Sequence, residues 1–101
     1  MRPTKTDDVV RVRVTMDRGQ VLAFTTQLEI YIDDEFRPVE RYDSAHGRPH
    51  RDTLDWSGRV IAKIWLPLTM DLNTAFTHGE SDLLVNAATY RAAYLERSGR
   101  G

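Results

Sequence analysis

Residues 21–32 read Val-Leu-Ala-Phe-Thr-Thr-Gln-Leu-Glu-Ile-Tyr-Ile. Leu22, Phe24, Leu28, Ile30 and Ile32 are two or four residues apart, and the residues between them are mostly small or polar. Because successive side chains of a strand point to opposite faces, this spacing predicts a strand with one buried face. It is the longest and clearest strand pattern in the chain, so we expect it near the centre of a sheet.

Strand patterns also lie on both sides of this segment. Residues 10–16 alternate valine or methionine with arginine or threonine, and the turn-forming residues 17–20 connect them to residue 21. Three further strands are predicted at residues 36–42, 50–54 and 60–66, with glycine, proline or aspartate in the connections. Consecutive strands joined by short turns favour an antiparallel meander.

The C-terminal third predicts a helix. Asp71 is placed to cap its start, and Gly99 is a plausible stop. Apolar residues recur three or four positions apart along one stripe: Leu72, Phe76, Gly79, Leu83, Ala87, Tyr90 and Tyr94. We therefore predict a single α+β domain, residues 1–101: an antiparallel meander sheet of about five strands, with one long C-terminal helix packed on one face. The polar residues 1–8 are expected to be a disordered tail.

Composition limits the classes of function. The chain has 101 residues, a net charge of −1 and no cysteine, which excludes disulfides and thiolate metal sites. A nucleic-acid site would have to be a local cluster, because there is no overall basic charge. No apolar run approaches the roughly 18 residues of a membrane span, and residues 1–8 lack the apolar core of a signal peptide. We expect a soluble, cytoplasmic protein with no membrane partner and no cofactor.

The chemically richest stretch is residues 41–52, Arg-Tyr-Asp-Ser-Ala-His-Gly-Arg-Pro-His-Arg-Asp. Gly47 and Pro49 argue against a helix here, so we expect a hairpin loop. Asp43 and His50 would then stand at its two stems, with His46 near its tip. Opposite charges at positions 41 and 52 would face each other across the two strands.

These residue types suit acid–base cleavage of a phosphodiester without a metal. His46 and His50 would act as acid and base, and Asp43 would orient a histidine. The predicted substrate-binding residues are Arg41, Arg48, Arg51 and Trp56; the arginines would hold phosphate, and the tryptophan would stack a base. We expect loss of His50 to leave folding nearly untouched, and Trp65 to pack in the core.

Three other interpretations remain open. The loop can be polar and inactive, with Arg41 and Asp52 merely paired. His46 and His50 can bind a divalent ion with Asp43 or Asp52. Arg11 and Arg13, on the strand face that the valines do not use, can belong to a phosphate groove with Arg18, Arg48 and Arg51, or to a solvated surface.

Residues 39–52 carry a family resemblance, together with Gln27-Leu28-Glu29-Ile30, Trp65-Leu66 and residues 71–75. Over most of its length the chain resembles small prokaryotic domains of unknown function with an Arg-Tyr-Asp-x-Ala-His-Gly-x-x-His core. More distantly, this segment resembles the TumE toxins of toxin–antitoxin pairs. The matching positions are Arg41, Asp43, Ala45, His46 and His50. The resemblance implies a toxin-like activity on RNA, or on a partner protein encoded beside it.

Two functions follow as expectations. The first is a toxin–antitoxin-like endoribonuclease that cleaves RNA without a metal. The alternative is a non-catalytic protein-binding module, with a cognate antitoxin or another protein as partner. A concave, exposed site favours the first; a flat site whose arginines are tied to aspartates favours the second. We also expect a homodimer, because one helix cannot cover both faces of the sheet and an edge strand stays open.

Overall fold

The chain forms a sheet followed by helices in the computed structural model, which describes residues 1–4 and 6–100 without the side chain of His46. In that part of the chain the strands are β1 (Arg2–Pro3), β2 (Val9–Asp17), β3 (Gln20–Ile32), β4 (Glu35–Asp43), β5 (His50–Leu54) and β6 (Val60–Trp65). The helices are α1 (Leu72–Val85) and α2 (Ala87–Arg97), and a 3₁₀ turn, Ala45–Gly47, precedes β5. All strands precede both helices, which is typical of an α+β domain.

The strands form one antiparallel sheet in chain order, β1-β2-β3-β4-β5-β6. β3 is the longest strand, and its Leu28 lies opposite Val10 of β2 on one side and Glu40 of β4 on the other. Phe24, Leu28 and Ile30 of β3 share one face and are buried. This face therefore carries the core of the domain.

Both helices cover that face. Ala75 and Leu83 of α1 are fully buried in one cluster with Leu28 of β3. Asp71 caps α1 as predicted, because its side chain accepts a hydrogen bond from the backbone N of Thr74 at 2.7 Å. Neither helix combines the length and the apolar character needed to cross a membrane.

The prediction of about five strands is wrong, because β1 adds a sixth. Arg2 pairs with Val10 and Pro3 with Val9, so two residues of the segment predicted as a tail belong to the sheet. The same segment continues to Asp8, whose buried carboxylate accepts hydrogen bonds from the backbone N of Tyr31 and from Arg91. A polar composition hides these links, because they are made to residues far along the chain.

The prediction of one long C-terminal helix is also wrong. α1 ends at Val85, and Asn86 adopts φ −104° and ψ 18°, which interrupts the helix before Ala87. Asn86 also donates a side-chain hydrogen bond to Asp82 at 2.6 Å. Asparagine is a weak helix former, because its side chain competes with the backbone for hydrogen bonds, so a helix is easily interrupted at this position.

A β-bulge changes which side chains are buried at the start of β3. The register between β2 and β3 shifts between Thr15 and Met16, so that Thr15 pairs with Ala23 and Met16 with Val21. The predicted alternation turns Leu22 inward, but Leu22 is 56% exposed and Val21 is buried. A bulge inserts one unpaired residue and reverses the alternation, which simple periodicity does not anticipate.

The helices leave two surfaces uncovered. One is the face of the sheet opposite to them, which we call the open face. The other is the outer strand β6, all six residues of which are exposed. Its large apolar side chains are Val60, Ile61, Ile64 and Trp65.

Candidate functional site

The hairpin β4–β5 has the register that the sequence predicts. Asp43 lies opposite His50, and Arg41 lies opposite Asp52. Between the strands, the 3₁₀ turn ends at Gly47, whose φ of 79° suits glycine. The side chain of Asp43 accepts a hydrogen bond from the backbone N of Ala45, so this carboxylate shapes the loop.

Ser44 anchors the hairpin to the neighbouring strand β3. Its hydroxyl accepts a hydrogen bond from the backbone N of Phe24 at 2.8 Å and donates one to the backbone O of Phe24 at 3.3 Å. The backbone N of Ser44 also donates to the O of Phe24. The base of the loop is therefore held firmly against β3.

The cross-strand registers align ten residues in two rows on the open face. The first row runs Arg11, Gln27, Arg41, Asp52 and Lys63 across β2 to β6. The second row runs Arg13, Thr25, Asp43, His50 and Trp65 across the same strands. We call these ten residues the charged rows.

Asp52 is the centre of the charged rows. Its carboxylate oxygens lie 3.0 Å from Nζ of Lys63, 3.2 Å from Nη2 of Arg41 and 3.4 Å from Nε2 of His50. Burial favours the neutral carboxyl, but the cationic groups of Lys63 and Arg41 outweigh it and hold the pKa of Asp52 below its ordinary value. Asp52 is therefore an anionic anchor for two basic side chains.

His50 is held on every side. It is 3% exposed, and its ring lies edge-on to Trp65 with the ring centroids 5.1 Å apart. Nδ1 is 3.1 Å from the backbone O of Arg48, and Nε2 faces Asp52. Both ring nitrogens thus face protein oxygens, and neither is free to meet a substrate in this arrangement. Only the backbone of His46 lies in the described part, so its predicted role falls outside the described side chains.

A cleft of about 480 Å³ opens beside the charged rows. Its lining residues are Arg11, Val12, Arg13, Thr25, Gln27, Arg41 and Asp43. Arg11 makes two contacts with Glu29, at 2.8 and 3.1 Å, and is tied by them. Arg13 takes part in none of the ion pairs among the described residues.

Two predicted substrate-binding residues lie elsewhere. Arg51 points to the helix-covered face, where it lies 3.0 Å from Glu40 and donates to the hydroxyl of Tyr90 at 3.2 Å. Burial raises the pKa of Glu40 against the opposing effects of Thr53 and Arg51. The alternation of β5 explains the separation, because Arg51 stands between His50 and Asp52 and must point the other way.

Trp56 is likewise separate from the charged rows. The guanidinium carbons of Arg37 and Arg100 lie 3.6 and 3.8 Å from the centroid of its ring, and Tyr94 stacks beside it. Arg48 remains near the rows, with its guanidinium carbon 5.1 Å from the centroid of Trp65. The structure thus assembles Arg41, Arg48, Asp43 and His50, and leaves out Arg51 and Trp56.

Sequence reasoning missed Lys63 and Trp65 as members of the site. Their spacing of two residues in a strand is the available signal, since it places both side chains on one face. Within the described residues, no group of three or more His, Asp or Glu gathers as a metal ion would need.

Comparisons with known proteins give the family. No curated protein and no solved structure matches the chain. The likeness to TumE toxins and the Arg-Tyr-Asp-x-Ala-His-Gly-x-x-His core of the expected family therefore stay predictions, whereas the expectation of a domain of unknown function is confirmed. A family model described as a domain of unknown function matches residues 1–100, and the chain belongs to that family, DUF7718.

Proposed function

We propose that the protein binds RNA through the charged rows of its open face. The observation that carries this proposal is the local excess of basic side chains. The rows hold three arginines and one lysine against two aspartates, on a chain whose net charge is −1. Phosphate contacts by such groups supply most of the affinity of non-specific RNA binding.

The charges of the rows are only partly balanced by protein partners. Arg41 and Lys63 share a single carboxylate, that of Asp52. Arg13 has no ion pair among the described residues and lines the cleft together with Arg41. An incoming phosphate therefore meets Arg13, which has no protein carboxylate among the described residues, beside Arg41 and Lys63, which share one.

The geometry favours binding over cleavage by His50. A general acid or base must reach the proton that it transfers, and the ring of His50 is buried with both nitrogens engaged. Metal-independent cleavage by His46 and His50 remains a second candidate, supported by the position of Arg41 on the same carboxylate as His50. A cytoplasmic location fits either activity on RNA.

Salt-dependent RNA binding tests the proposal. A short fluorescent single-stranded RNA is titrated with protein in EDTA at about 50 to 200 mM salt, and the slope of log K against log salt is measured. Arg13→Gln should weaken binding and make that slope about 0.7 less steep, the value of one lost phosphate contact. Arg2→Gln removes the same charge from the helix-covered side of the sheet, where Arg2 pairs with Glu80 of α1 at 2.6 Å, and should leave the slope unchanged. No measurable binding by the parent protein, or equal slopes for the two variants, would overturn the proposal.

Electrophoresis of the same samples tests cleavage. If His50 or His46 acts as acid or base, replacing it should slow cleavage by about two to four orders of magnitude. Intact RNA in every sample, bound by the parent protein, would leave binding as the activity. Cleavage that is equal in His50→Gln, His46→Ala and the parent would exclude both histidines.

A protein-binding module is supported by a different observation. Arg11 is tied to Glu29 and Arg41 to Asp52, the pairing expected of a binding surface rather than an active site. An antitoxin or another protein would then occupy this face or β6. Failure of all RNA binding in the titration above would favour this function.

A further inference from the structure

Trp65 is a large aromatic side chain that the fold leaves exposed. It closes the second charged row on β6, and 46% of the residue is accessible. Lys63 lies with Nζ 5.4 Å from the centroid of its ring, and the edge of His50 supports it from the neighbouring strand. The indole is thus fixed in orientation beside basic groups without being buried by them.

Trp56, the other tryptophan, is an example of a packed indole in this chain. The ring of Trp56 is stacked against Tyr94 and lies beneath the guanidinium groups of Arg37 and Arg100. The cations over the ring of Trp65 lie farther away, Arg48 at 5.1 Å and Lys63 at 5.4 Å from its centroid. Among the described residues no aromatic ring is stacked on its face, and His50 meets it edge-on. Its surface is therefore available to a ligand.

We propose that Trp65 stacks on an unpaired base, so that the ligand of the charged rows is single-stranded RNA; this proposal rests on the proposed function. Lys63 and Trp65 lie on the same face of β6 two residues apart, about 7 Å along the strand. A phosphate held by Lys63 leaves the attached base within reach of the indole. Bases stack readily on exposed aromatic rings beside a basic groove, whatever their sequence.

The proposal also predicts which nucleic acids bind weakly. In a duplex each base is already stacked between its neighbours, and its ring face is closed to a side chain. Paired RNA can therefore meet only the basic groups of the rows. Single strands should bind more tightly than a duplex of the same sequence, and the difference should depend on Trp65.

Fluorescence and affinity together test this stacking. Single-stranded RNA should quench the tryptophan emission of the parent protein and of Trp56→Phe. In Trp65→Phe the quenching should vanish while most of the affinity remains, since phenylalanine can still stack. Trp65→Ala should weaken binding of single-stranded RNA about 5- to 150-fold. A thermal melt of each variant shows that the protein titrated is folded.

Inorganic polyphosphate separates this proposal from the one on which it rests. It carries charge and no base, so it should bind the parent and Trp65→Ala equally and quench neither. No polyphosphate or RNA binding at all would sink the RNA function itself. RNA binding with no quenching, or with equal affinity in Trp65→Ala, would overturn only the stacking. If single-stranded DNA of the same sequence binds and quenches like the RNA, the ligand class includes single strands of both RNA and DNA, and the stacking proposal stands.

A protein surface is the competing explanation for an exposed tryptophan. Two results together would assign Trp65 to an interface between copies of the chain. The first is tryptophan emission that shifts with protein concentration in the absence of RNA. The second is an RNA affinity that Trp65→Ala leaves unchanged.

Discussion

Gly79 is the residue at which α1 comes closest to the sheet. A Cβ atom built at this position would lie 2.7 Å from Cγ and 2.9 Å from Cβ of Tyr42. Those distances are shorter than real side chains tolerate, and Tyr42 is itself buried. Glycine here thus sets the distance between helix and sheet.

We predict that Gly79→Ala destabilises the protein although alanine is the better helix former. The helix gains about 1 kcal/mol of propensity, whereas overpacking a tight site costs roughly 1–3 kcal/mol and requires Tyr42 to move. Urea denaturation followed by circular dichroism measures the difference. Ser81→Ala, at an exposed position of the same helix, is the control and should be neutral or slightly stabilising. Equal gains in both variants would show that the helix does not approach Tyr42 as described.

Tyr42 also makes stability depend on alkaline pH. Burial and the hydrogen bond to Asp82, at 2.7 Å, raise its pKa to about 12, and the same causes raise the pKa of Tyr90. A tyrosine whose pKa is higher in the folded state than its unfolded value of about 10 stabilises the fold fully below pH 10. That contribution is lost as the pH rises from about 10 to 12.

Titration of tyrosinate absorbance measures this shift. Tyr42 and Tyr90 should ionise late, as should Tyr94, whose pKa burial also raises, and unfolding should accompany them. Tyr42→Phe should remove one late ionisation and reduce the loss of stability between pH 10 and 12. Ionisation of all four tyrosines near pH 10 in a folded protein would contradict the buried hydrogen bonds.

Local sequence was sufficient for some residues of the site and insufficient for others. The opposition of Asp43 to His50 and of Arg41 to Asp52 follows from the loop between them. The burial of His50 does not, because Trp65 and Asp52 supply its surroundings and Trp65 belongs to a later strand. The expectation that losing His50 leaves folding nearly untouched rests on a residue at the stem of a loop, outside the core, whereas His50 is 3% exposed, so burial favours a loss of stability instead.

For the secondary-structure elements, the spacing of apolar residues predicts helices and strands but does not predict the single residues that interrupt them. The apolar stripe of the C-terminal segment passes through Asn86 without a break, since Leu83 and Ala87 are both buried. One residue of non-helical backbone nevertheless divides α1 from α2. The bulge at Leu22 is the same kind of event in a strand. Both depend on one backbone position and leave the pattern on either side intact.

The alternation of side chains along β5 also determines which of the predicted site residues lie on the same face of the sheet. β5 sends His50 and Asp52 to the open face and Arg51 and Thr53 to the helix-covered face, where Thr53 donates to Glu40 at 2.8 Å. Residues adjacent in the chain are in this way assigned to opposite sides of the sheet. When neighbouring site residues lie on one strand, only every second one can therefore contribute to the same site.

The whole molecule has one covered face, one polar face and an apolar outer strand, and this arrangement bears on assembly. We propose that the expected homodimer forms by antiparallel pairing of β6 with β6 of a second copy. Lys63 is the single charge of β6, and a register centred on Ala62 places each Lys63 opposite Ile61 rather than opposite the other lysine. Val60 and Ile64 then meet across the two-fold axis.

Sedimentation at tens of micromolar protein tests this dimer. Ile64→Glu should shift the protein to the monomer mass, because it places a carboxylate in the centre of the apolar contact. Thr77→Glu adds the same charge to an exposed position on α1 and should leave the mass of the parent unchanged. A parent protein that sediments as a monomer would contradict the dimer. A dimer that persists in Ile64→Glu would show that the interface does not involve β6.

The meander order has a consequence for the chain as it is made. Each strand pairs with the one before it, so the sheet can grow as residues leave the ribosome, but the helices that cover Leu28 and Ile30 come last. The links that close the domain span long stretches, 40 residues for Tyr42 with Asp82 and 83 for Asp8 with Arg91. At a synthesis rate of about 5–20 residues per second, the helices follow the last strand by a few seconds, and the apolar face of the sheet is uncovered during that time. During synthesis the apolar face of the sheet is therefore exposed before the helices that later bury it have formed.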